Sequence, residues 1–281
     1  MGIRIITDST SDISIKQAAK MNITLVPLKV IFGNKEYKEG VDITIDGFYE
    51  KLVKAEKLPT TSQPSPDDFL EYFKKGKAAG DSIIVLVIAA KLSGTYQSAM
   101  IAKDMVEYED IHIINSDTTT CALRILVEQA VKLRDEGMVA NEIVTKLMDL
   151  KDRVVLIAMV DTLEFLHKGG RLSKSSAILG TLLKFKPLIT VKDGVVGVLG
   201  KERGVNKAIG RLVEIIDEYG GIDSSYPVHL GYTAQDDQCK LLKDKLLEKY
   251  DQKDLAMHPV GCVVGTHAGP GACMITYVKN K

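Results

Sequence analysis

Hydrophobic and polar positions along the chain form blocks that predict strands followed by amphipathic helices. Residues 4–7 (Arg-Ile-Ile-Thr) predict a short first strand, 83–90 is a continuous apolar run, and 111–115 is another strand-like segment. Between these runs the apolar positions recur at helical spacing, as in 96–106 and 121–136. Such alternation is typical of an α/β fold with a mostly parallel sheet that is covered by helices on both faces.

The second half of the chain repeats this alternation. A predicted strand at residues 154–160 is followed by two strand-like runs that Asp193-Gly194 joins. An Asp-Gly pair between such runs is a strong signal for a β-hairpin. We therefore predict two α/β domains with mostly parallel sheets, residues 1–152 and residues 153–281, and we expect a ligand cleft between them.

The composition is that of a globular protein without a dominant charge. Of the 281 residues, 45% are hydrophobic and 26% are charged, and Lys plus Arg equal Asp plus Glu at 37 each. This balance gives no global attraction to nucleic acid, and we predict no nucleic-acid partner. The longest apolar run has eight residues, whereas a helix that crosses a bilayer needs about 20. We therefore predict no stable membrane insertion.

The four cysteines are far apart in the sequence and form no C-x-x-C pair; they are Cys121, Cys239, Cys262 and Cys273. This spacing favours small core residues in a reducing compartment over a metal cluster or a disulfide framework. The N-terminal strand is followed at once by Asp8, which is unlike the apolar region of a signal peptide. We therefore expect a cytoplasmic protein without a metal site.

Two polar stretches at transitions into helices predict a site for a small anion. Thr60-Thr61-Ser62 precede Ser65, a typical N-cap residue. Ser93-Gly94-Thr95 follow a predicted strand and lead into a helix that begins near Tyr96. The unpaired N–H groups and the dipole at a helix start favour an anion. The two stretches together predict a neutral, hydroxyl-lined pocket, although hydroxyls that only stabilise turns would have the same spacing.

Asp8 follows the first predicted strand, in the segment Asp8-Ser-Thr-Ser-Asp12. Ligands of open α/β sheets bind at the carboxyl ends of the strands, where this segment lies. Asp8 is also a good N-cap residue for the helix that follows. Both interpretations stay open: Asp8 caps that helix, or it lies behind the pocket.

Five motifs, taken in order, resemble the signature of the DegV family. They are Asp8-Ser-Thr, Thr61-Ser-Gln-Pro-Ser, Leu92-Ser-Gly-Thr-Tyr-Gln-Ser-Ala99, Lys168-Gly-Gly-Arg171 and His267-Ala-Gly-Pro-Gly271. The match extends from Arg4 to Val278. The resemblance implies a two-domain α/β protein that holds one long-chain fatty acid between its domains and uses no cofactor besides this ligand. It also implies that the chain is the binding subunit of a bacterial fatty acid kinase and not an enzyme by itself. Such a subunit presents the carboxylate to a separate kinase subunit that makes acyl-phosphate.

The resemblance also implies a set of carboxylate-binding residues: Thr61, Ser62, Ser93, Gly94 and His267. It assigns Arg171 to a loop near the ligand head group or the kinase contact. The chain departs from the family pattern at residues 118–124, which read Thr-Thr-Thr-Cys-Ala-Leu-Arg where the family has a glycine-rich turn. Side chains at these positions would narrow an acyl tunnel.

Basic residues are concentrated between His167 and Arg211. This segment contains ten Lys and Arg residues and only two acidic residues, a local net charge of +8 in a chain whose total is zero. We interpret the segment, including Lys201 and Arg203, as a surface that attracts an acidic kinase domain or its nucleotide. A solvated basic surface without a partner is the alternative.

Two other function classes have some support in the sequence. Ser93, His267 and Asp8 together have the composition of a hydrolytic triad and would make the chain an acyl-ester hydrolase. However, Ser93 lacks the G-x-S-x-G context of such nucleophiles. The basic segment would suit a nucleic-acid-binding regulator, but it lacks interleaved aromatic residues and a helix-turn-helix pattern. A G-x-x-x-x-G-K-[ST] phosphate loop is also missing, so the sequence does not predict phosphoryl transfer by this chain alone.

Overall fold

The computed structural model describes residues 2–172, 185–250 and 255–281. The strands in these ranges are β1 (Ile3–Asp8), β2 (Ile23–Val26), β3 (Lys29–Phe32), β4 (Lys35–Lys38), β5 (Thr60–Ser62), β6 (Ser82–Val87), β7 (Ile111–Asn115), β8 (Val154–Met159), β9 (Lys186–Lys192), β10 (Val195–Glu202), β11 (Val228–Tyr232), β12 (Leu255–Pro259) and β13 (Cys273–Val278). The helices are α1 (Ile15–Lys20), α2 (Ile45–Lys54), α3 (Pro66–Ala79), α4 (Thr95–Val106), α5 (Thr120–Asp135), α6 (Ala140–Lys151), α7 (Glu164–Lys168), α8 (Val205–Glu218), α9 (Asp237–Lys249) and α10 (Cys262–Ala268). Lys174 and Lys184 of the basic segment lie outside the described residues.

The N-terminal half contains the parallel sheet that the sequence predicts. Its strand order is β2-β1-β6-β7, and all three pairings are parallel. Every residue of β6 is buried, as expected for a continuous apolar strand that is covered on both faces. The carboxyl ends of β1 and β6 lead into the polar segments around Asp8 and Ser93, and the sheet therefore brings the two segments to one edge.

One predicted strand is divided in two. The apolar residues from Leu25 to Phe32 predict a single strand, but the structure breaks it between β2 and β3 at Pro27 and Leu28. Proline has no N–H group to donate to a sheet, and the N–H of Leu28 donates instead to Oγ of Ser9 at 3.0 Å. After this break β3 joins a separate antiparallel sheet of order β4-β3-β5.

The C-terminal sheet corrects the prediction of mostly parallel strands for that half. Its order is β10-β9-β8-β13-β11-β12, and only the β11–β12 pairing is parallel. The predicted hairpin is confirmed as β9 and β10, which necessarily pair antiparallel. The last strand, β13, inserts between β8 and β11 and runs opposite to both.

Helix α5 lies between the two larger sheets. It contacts β1 and β6 of the parallel sheet and β8, β11 and β13 of the C-terminal sheet. Ten of its sixteen residues are buried, which is the pattern of a helix with sheet on two sides. The division of the chain near residue 152 stays a prediction, because α5 contributes to the cores on both sides.

The cysteines are buried core residues, as their spacing predicts: Cys121, Cys239, Cys262 and Cys273 all carry free thiols. Among the described residues, no helix has both the length and the apolar character needed to cross a bilayer.

Candidate ligand-binding pocket

A cavity of about 330 Å³ lies where α10, the start of α4, β5 and the inner face of the C-terminal sheet meet. This volume is within the range of small-molecule sites. Its apolar lining is Leu28, Ile88, Leu92, Leu156, Ala158, Val160, Leu166, Ile189, Val191, Val196, Val263, Val264, Ala268, Ala272 and Met274. Its other lining residues are Thr61, Ser62, Gln63, Ser93, Gly94, Thr119, Thr120, Arg171 and His267. The pocket is thus mostly apolar, with a limited set of hydrogen-bonding groups.

The strand pattern of β8 explains the apolar wall. Leu156, Ala158 and Val160 face the pocket, whereas Ile157 and Met159 face the core on the opposite side of the sheet. Side chains of successive residues in a strand point to opposite faces. Uninterrupted hydrophobic sequence along β8 therefore supplies one core and one pocket wall at the same time.

Thr61 and His267 form a direct contact within the pocket. Oγ1 of Thr61 and Nε2 of His267 are hydrogen-bonded at 2.9 Å, although the residues are 206 positions apart in the sequence. Thr61 is held by β5, where it pairs with Val30 of β3. His267 lies in the last turn of α10. The sequence predicts a loop at residues 265–271, and the structure corrects this: the helix extends to Ala268, and a turn begins at Gly269.

His267 is neutral in this environment. Burial, together with the guanidinium of Arg171, lowers the pKa of His267 to about 4. A neutral imidazole has one N–H donor and one acceptor nitrogen. Within the described part of the chain, Nδ1 has no hydrogen-bond partner. A Cβ atom on Gly169 would lie 2.2 Å from Nδ1, so glycine at that position leaves the room that the ring needs.

Ser93 and Gly94 lie at the N-terminus of α4, as predicted. Gly94 is the N-cap residue, and Oγ of Ser93 is hydrogen-bonded to Oγ1 of Thr95 at 2.9 Å. The backbone N–H of Ser93 donates to the Ala89 carbonyl at 3.1 Å, so it is not one of the unpaired N–H groups at this helix start. The N–H groups of the next residues begin the helix and have no intrahelical acceptor. These N–H groups and the Ser93 hydroxyl are the donors that this corner provides.

Gln63 is a pocket residue that the sequence analysis missed. Its Nε2 donates to Oγ of Ser98 at 3.0 Å, which fastens the segment after β5 to α4. A Cβ atom on Gly94 would lie 1.9 Å from Oε1 of Gln63. The glycine in the Leu-Ser-Gly-Thr motif therefore allows this close approach. Gln63 lies inside the motif Thr61-Ser-Gln-Pro-Ser, the second of the five motifs, and this position was the signal that the sequence offered.

Arg171 lines the pocket, but its guanidinium donates hydrogen bonds to two backbone carbonyls. Nε donates to the carbonyl of Leu92 at 3.1 Å, and one terminal nitrogen donates to the carbonyl of Gly169 at 2.6 Å. The turn before it requires positive φ at Gly170, where φ is +70°. Arg171 therefore links the α7 turn to the start of α4 and contributes a fixed positive charge beside His267.

Asp8 and Arg203 are not pocket residues. The carboxylate of Asp8 is buried and accepts hydrogen bonds from the backbone N–H groups of Thr10 at 2.8 Å and Ile88 at 2.7 Å. Burial raises the pKa of Asp8 to about 6. Because Ile88 lines the cavity, Asp8 supports the pocket from behind. Arg203 is exposed in the turn between β10 and α8.

The hydrolase alternative is not supported by the hydrogen bonds. His267 is bonded to Thr61, Ser93 is bonded to Thr95, and the Asp8 carboxylate is occupied by backbone N–H groups. A triad needs a serine bonded to the histidine and an acid bonded to the other ring nitrogen. The described residues do not form either bond.

The segment at residues 118–124 contributes to the pocket only in part. Thr119 and Thr120 line the cavity, as expected if side chains here narrow it. Arg124 does not line the cavity. Its Nε donates to Glu128 at 2.8 Å, and a terminal nitrogen donates to the carbonyl of Asp12 at 3.1 Å.

A family model described as "Uncharacterised protein, DegV family" matches residues 2–280. This chain belongs to the DegV family. A DegV domain-containing protein of Caldanaerobacter subterraneus is 36% identical over 278 residues, which is 99% of each chain.

Solved DegV structures have the same fold. A DegV family protein from Thermus thermophilus, whose structure was described under the heading of fatty acid binding, superposes with a TM-score of 0.90 at 29% identity. The alignment covers 99% of this chain and 100% of that one. The fatty acid kinase B3 protein of Streptococcus pneumoniae, loaded with linoleic acid, gives a TM-score of 0.87 at 24% identity, with both chains covered completely. The second similarity concerns the fold alone. The two-domain α/β fold that the motifs imply is thus confirmed.

Proposed function

We propose that this DegV protein binds one long-chain fatty acid and presents its carboxylate to a separate kinase subunit that forms the acyl-phosphate. The main support is the make-up of the pocket, in which an apolar wall adjoins Thr61, Ser93 and His267. The description of the Thermus thermophilus relative as a fatty-acid-binding protein is consistent with this ligand class. In this proposal the chain is a carrier, and the phosphoryl transfer belongs to the partner.

The apolar wall would supply most of the affinity. Burial of an acyl chain stabilises the complex by about 0.8 kcal/mol per methylene, so some fourteen methylenes give an upper limit of roughly 11 kcal/mol. Loss of translational and rotational freedom offsets a large part of this. The head group then mainly orients the ligand, because its hydrogen bonds to protein replace hydrogen bonds to water.

The polar residues would hold the carboxylate with neutral donors. Hydroxyl groups and helix N–H groups make charge-assisted hydrogen bonds to a carboxylate. If Nε2–H of His267 donates to Oγ1 of Thr61, the hydroxyl hydrogen of Thr61 is free to donate to the ligand. The positive charge of Arg171 is also in the pocket lining, but its Nε and one terminal nitrogen donate to the carbonyls of Leu92 and Gly169. In this proposal the carboxylate therefore stays available as a nucleophile for the kinase partner.

Ligand binding is tested by mass spectrometry of whatever small molecule leaves the purified protein on denaturation. We expect one equivalent of a long-chain fatty acid. In a binding assay with delipidated protein, Thr61→Val should weaken fatty acid binding at least fivefold, because the hydroxyl is lost while the shape is kept. Thr145→Val is the matched control, since the Thr145 hydroxyl only bonds the Asn141 carbonyl on an exposed face of α6. Absence of any bound or binding acyl ligand would refute the proposed function.

We further propose that exposed basic residues of the segment between His167 and Arg211 contact the kinase subunit. Several cations of the basic segment are paired: Lys168 with Glu164, Lys186 with Asp161, and Arg211 with Glu218. Lys201 lies over the ring of Phe185 at 4.9 Å. Arg203 is exposed and has no ion pair within the described ranges, so its charge is available to a partner.

Arg203→Glu should lower phosphorylation of the bound fatty acid severalfold and leave fatty acid binding unchanged. Lys146→Glu is the matched control, because Lys146 is an exposed cation on α6 in the N-terminal half. Phosphorylation is measured with the kinase subunit and ATP at two salt concentrations, because charge steering weakens as salt increases. Equal loss of phosphorylation in both variants, or loss of fatty acid binding in Arg203→Glu, would contradict a docking role for Arg203.

A further inference from the structure

The polar donors of the pocket come from two segments that different sheets hold. Thr61 lies on β5, at one edge of the small antiparallel sheet β4-β3-β5. Ser93 and Gly94 follow β6 of the parallel sheet. These two sheets share no strand pairing. A carboxylate that contacts both segments needs its donors held to within about 0.5 Å. Contacts outside the sheets must therefore fix the spacing between the two segments.

The side chain of Gln63 makes such a contact. Its Nε2 donates to Oγ of Ser98 at 3.0 Å. Within the described ranges, this is the hydrogen bond that joins residues 60–65 to residues 92–98. Ser98 is one helical turn beyond Gly94, and its N–H donates to the Gly94 carbonyl at 3.0 Å. The amide of Gln63 also packs against Gly94 itself, because a Cβ atom there would lie 1.9 to 2.6 Å from its three amide atoms. Gln63 thus holds the whole first turn of α4.

Ser98 depends on this contact for its hydrogen bond. It lies on the buried side of α4 with Ala99 and Ala102, which pack into the core. Ser98 is 2% exposed and does not line the cavity. A buried hydroxyl is destabilising unless it is hydrogen-bonded. Gln63, in contrast, is exposed and lines the cavity, so burial of a core does not explain its fixed position.

We propose that Gln63 is a positioning residue for the ligand head group. Through Ser98 and Gly94 it sets the spacing between the Thr61 hydroxyl and the donors at the start of α4, so that one carboxylate reaches both. This inference rests on the proposed fatty acid function. The contacts of Gln63 lie at the two polar segments and not at the apolar wall. Loss of its hydrogen bond should therefore weaken the binding of the carboxylate and leave the binding of the acyl chain unchanged.

The test compares hexadecanoic acid with hexadecanol, which has the same chain and a single neutral oxygen. Delipidated full-length protein is titrated with both, and the ratio of the alcohol dissociation constant to the acid dissociation constant is measured by competition. Gln63→Ala should lower this ratio about fivefold, almost entirely through weaker binding of the acid. A fivefold change corresponds to about 1 kcal/mol, the net contribution of a typical hydrogen bond.

The decisive variant is Ser98→Ala, because Ser98 does not line the cavity and can act on the ligand only through a neighbour. It should lower the ratio as much as Gln63→Ala does. The double variant should lower the ratio no further than either single change, since all three remove the same hydrogen bond. Gln63→Met keeps the length of the side chain without its amide and should behave like Gln63→Ala.

Two controls match these changes. Ser82→Ala removes another buried serine hydroxyl, which donates to Asp110 at 2.6 Å at the opposite end of β6. Gln17→Ala removes a glutamine that caps α1 and does not line the cavity. Both controls should leave the ratio within about twofold of wild type, as for changes remote from a site. Melting temperatures of all variants are measured alongside, so that loss of fold is separated from loss of selectivity.

The outcomes separate this inference from the proposed function. If Ser98→Ala leaves the ratio unchanged, or if the effects of Gln63→Ala and Ser98→Ala add, the hydrogen bond does not position the head-group donors and the inference is overturned. If both variants weaken the acid and the alcohol equally, the bond only supports the fold, and the inference is again overturned. If the wild-type protein binds neither lipid, the proposed function itself fails.

Discussion

A carboxyl pair beneath α10 makes the stability of this protein depend on pH. Oε1 of Glu39 accepts the backbone N–H of Val263 at 2.9 Å, and Oδ1 of Asp12 accepts that of Gly261 at 2.9 Å. Both N–H groups lie at the start of the helix that carries His267. Glu39 is 5% exposed. Burial raises the pKa of Glu39 from 4.5 to about 7, with a smaller contribution from the charge of Asp8. Burial also raises the pKa of Asp12 well above its ordinary value.

The sign of the effect follows from proton linkage. Between pH 4.5 and about 7 the folded protein keeps a proton on Glu39 that the unfolded chain has lost. The free energy of unfolding therefore falls as the pH rises through this window, and the loss of stability is complete above about pH 7. A shift of this size at about 1.4 kcal/mol per pKa unit corresponds to about 3 kcal/mol. Glu39→Gln keeps a carbonyl oxygen for the N–H of Val263 and has no proton to lose.

We expect Glu39→Gln to match the wild type in free energy of unfolding at pH 4.5 and to exceed it by about 3 kcal/mol at pH 8.5. Urea unfolding at both pH values, followed by far-UV circular dichroism, measures this difference. Glu50→Gln on α2 is the matched control, because Glu50 is exposed, and it should change stability by less than about 0.5 kcal/mol. A Glu39→Gln variant that is less stable than wild type at pH 8.5 would refute the reasoning, since the charged carboxylate would then be the stabilising form.

Two further predictions follow from close contacts. Gly169→Ala should weaken fatty acid binding about tenfold, because the new methyl group displaces the ring of His267, whose Nδ1 it would approach to 2.2 Å. Gly200→Ala, which meets no atom within 4 Å, is the control, and equal binding by the two variants would show that the ring position is unimportant. Tyr49→Phe should lower the free energy of unfolding by about 1 kcal/mol, because the phenol donates to the buried Val260 carbonyl at 3.0 Å. Urea unfolding measures this, and an unchanged midpoint would mean that water satisfies that carbonyl.

The sequence alone determined most of the elements. Most of the apolar run at residues 83–90 lies in the buried strand β6 (Ser82–Val87), and Asp193-Gly194 joins β9 to β10 as predicted. Ser65 and Gly94 precede helices that begin where capping chemistry predicts. These features are readable because hydrophobic period, capping and turn formation depend on residues that are neighbours in the chain.

Sheet topology was decided by tertiary structure. β13 has the same kind of apolar pattern as a parallel strand, yet it runs antiparallel between β8 and β11. The hydrophobic periodicity of a strand indicates which of its residues face a core. It does not determine which other strands pair with it or in which direction they run. Likewise, the short polar segment around Thr61 became a strand only because β3 offered an edge for pairing.

In the pocket, too, some features follow from the sequence and others only from the tertiary structure. The residue types suited to an anion were evident in the sequence, but the contact of Thr61 with His267 joins positions 206 residues apart. The lowered pKa of His267 and the raised pKa of Glu39 both result mainly from burial. Burial is a property of the packed chain, because each of these groups loses water only when distant segments cover it. The sequence therefore determined which chemistry is present, and the fold decided which groups meet and which stay charged.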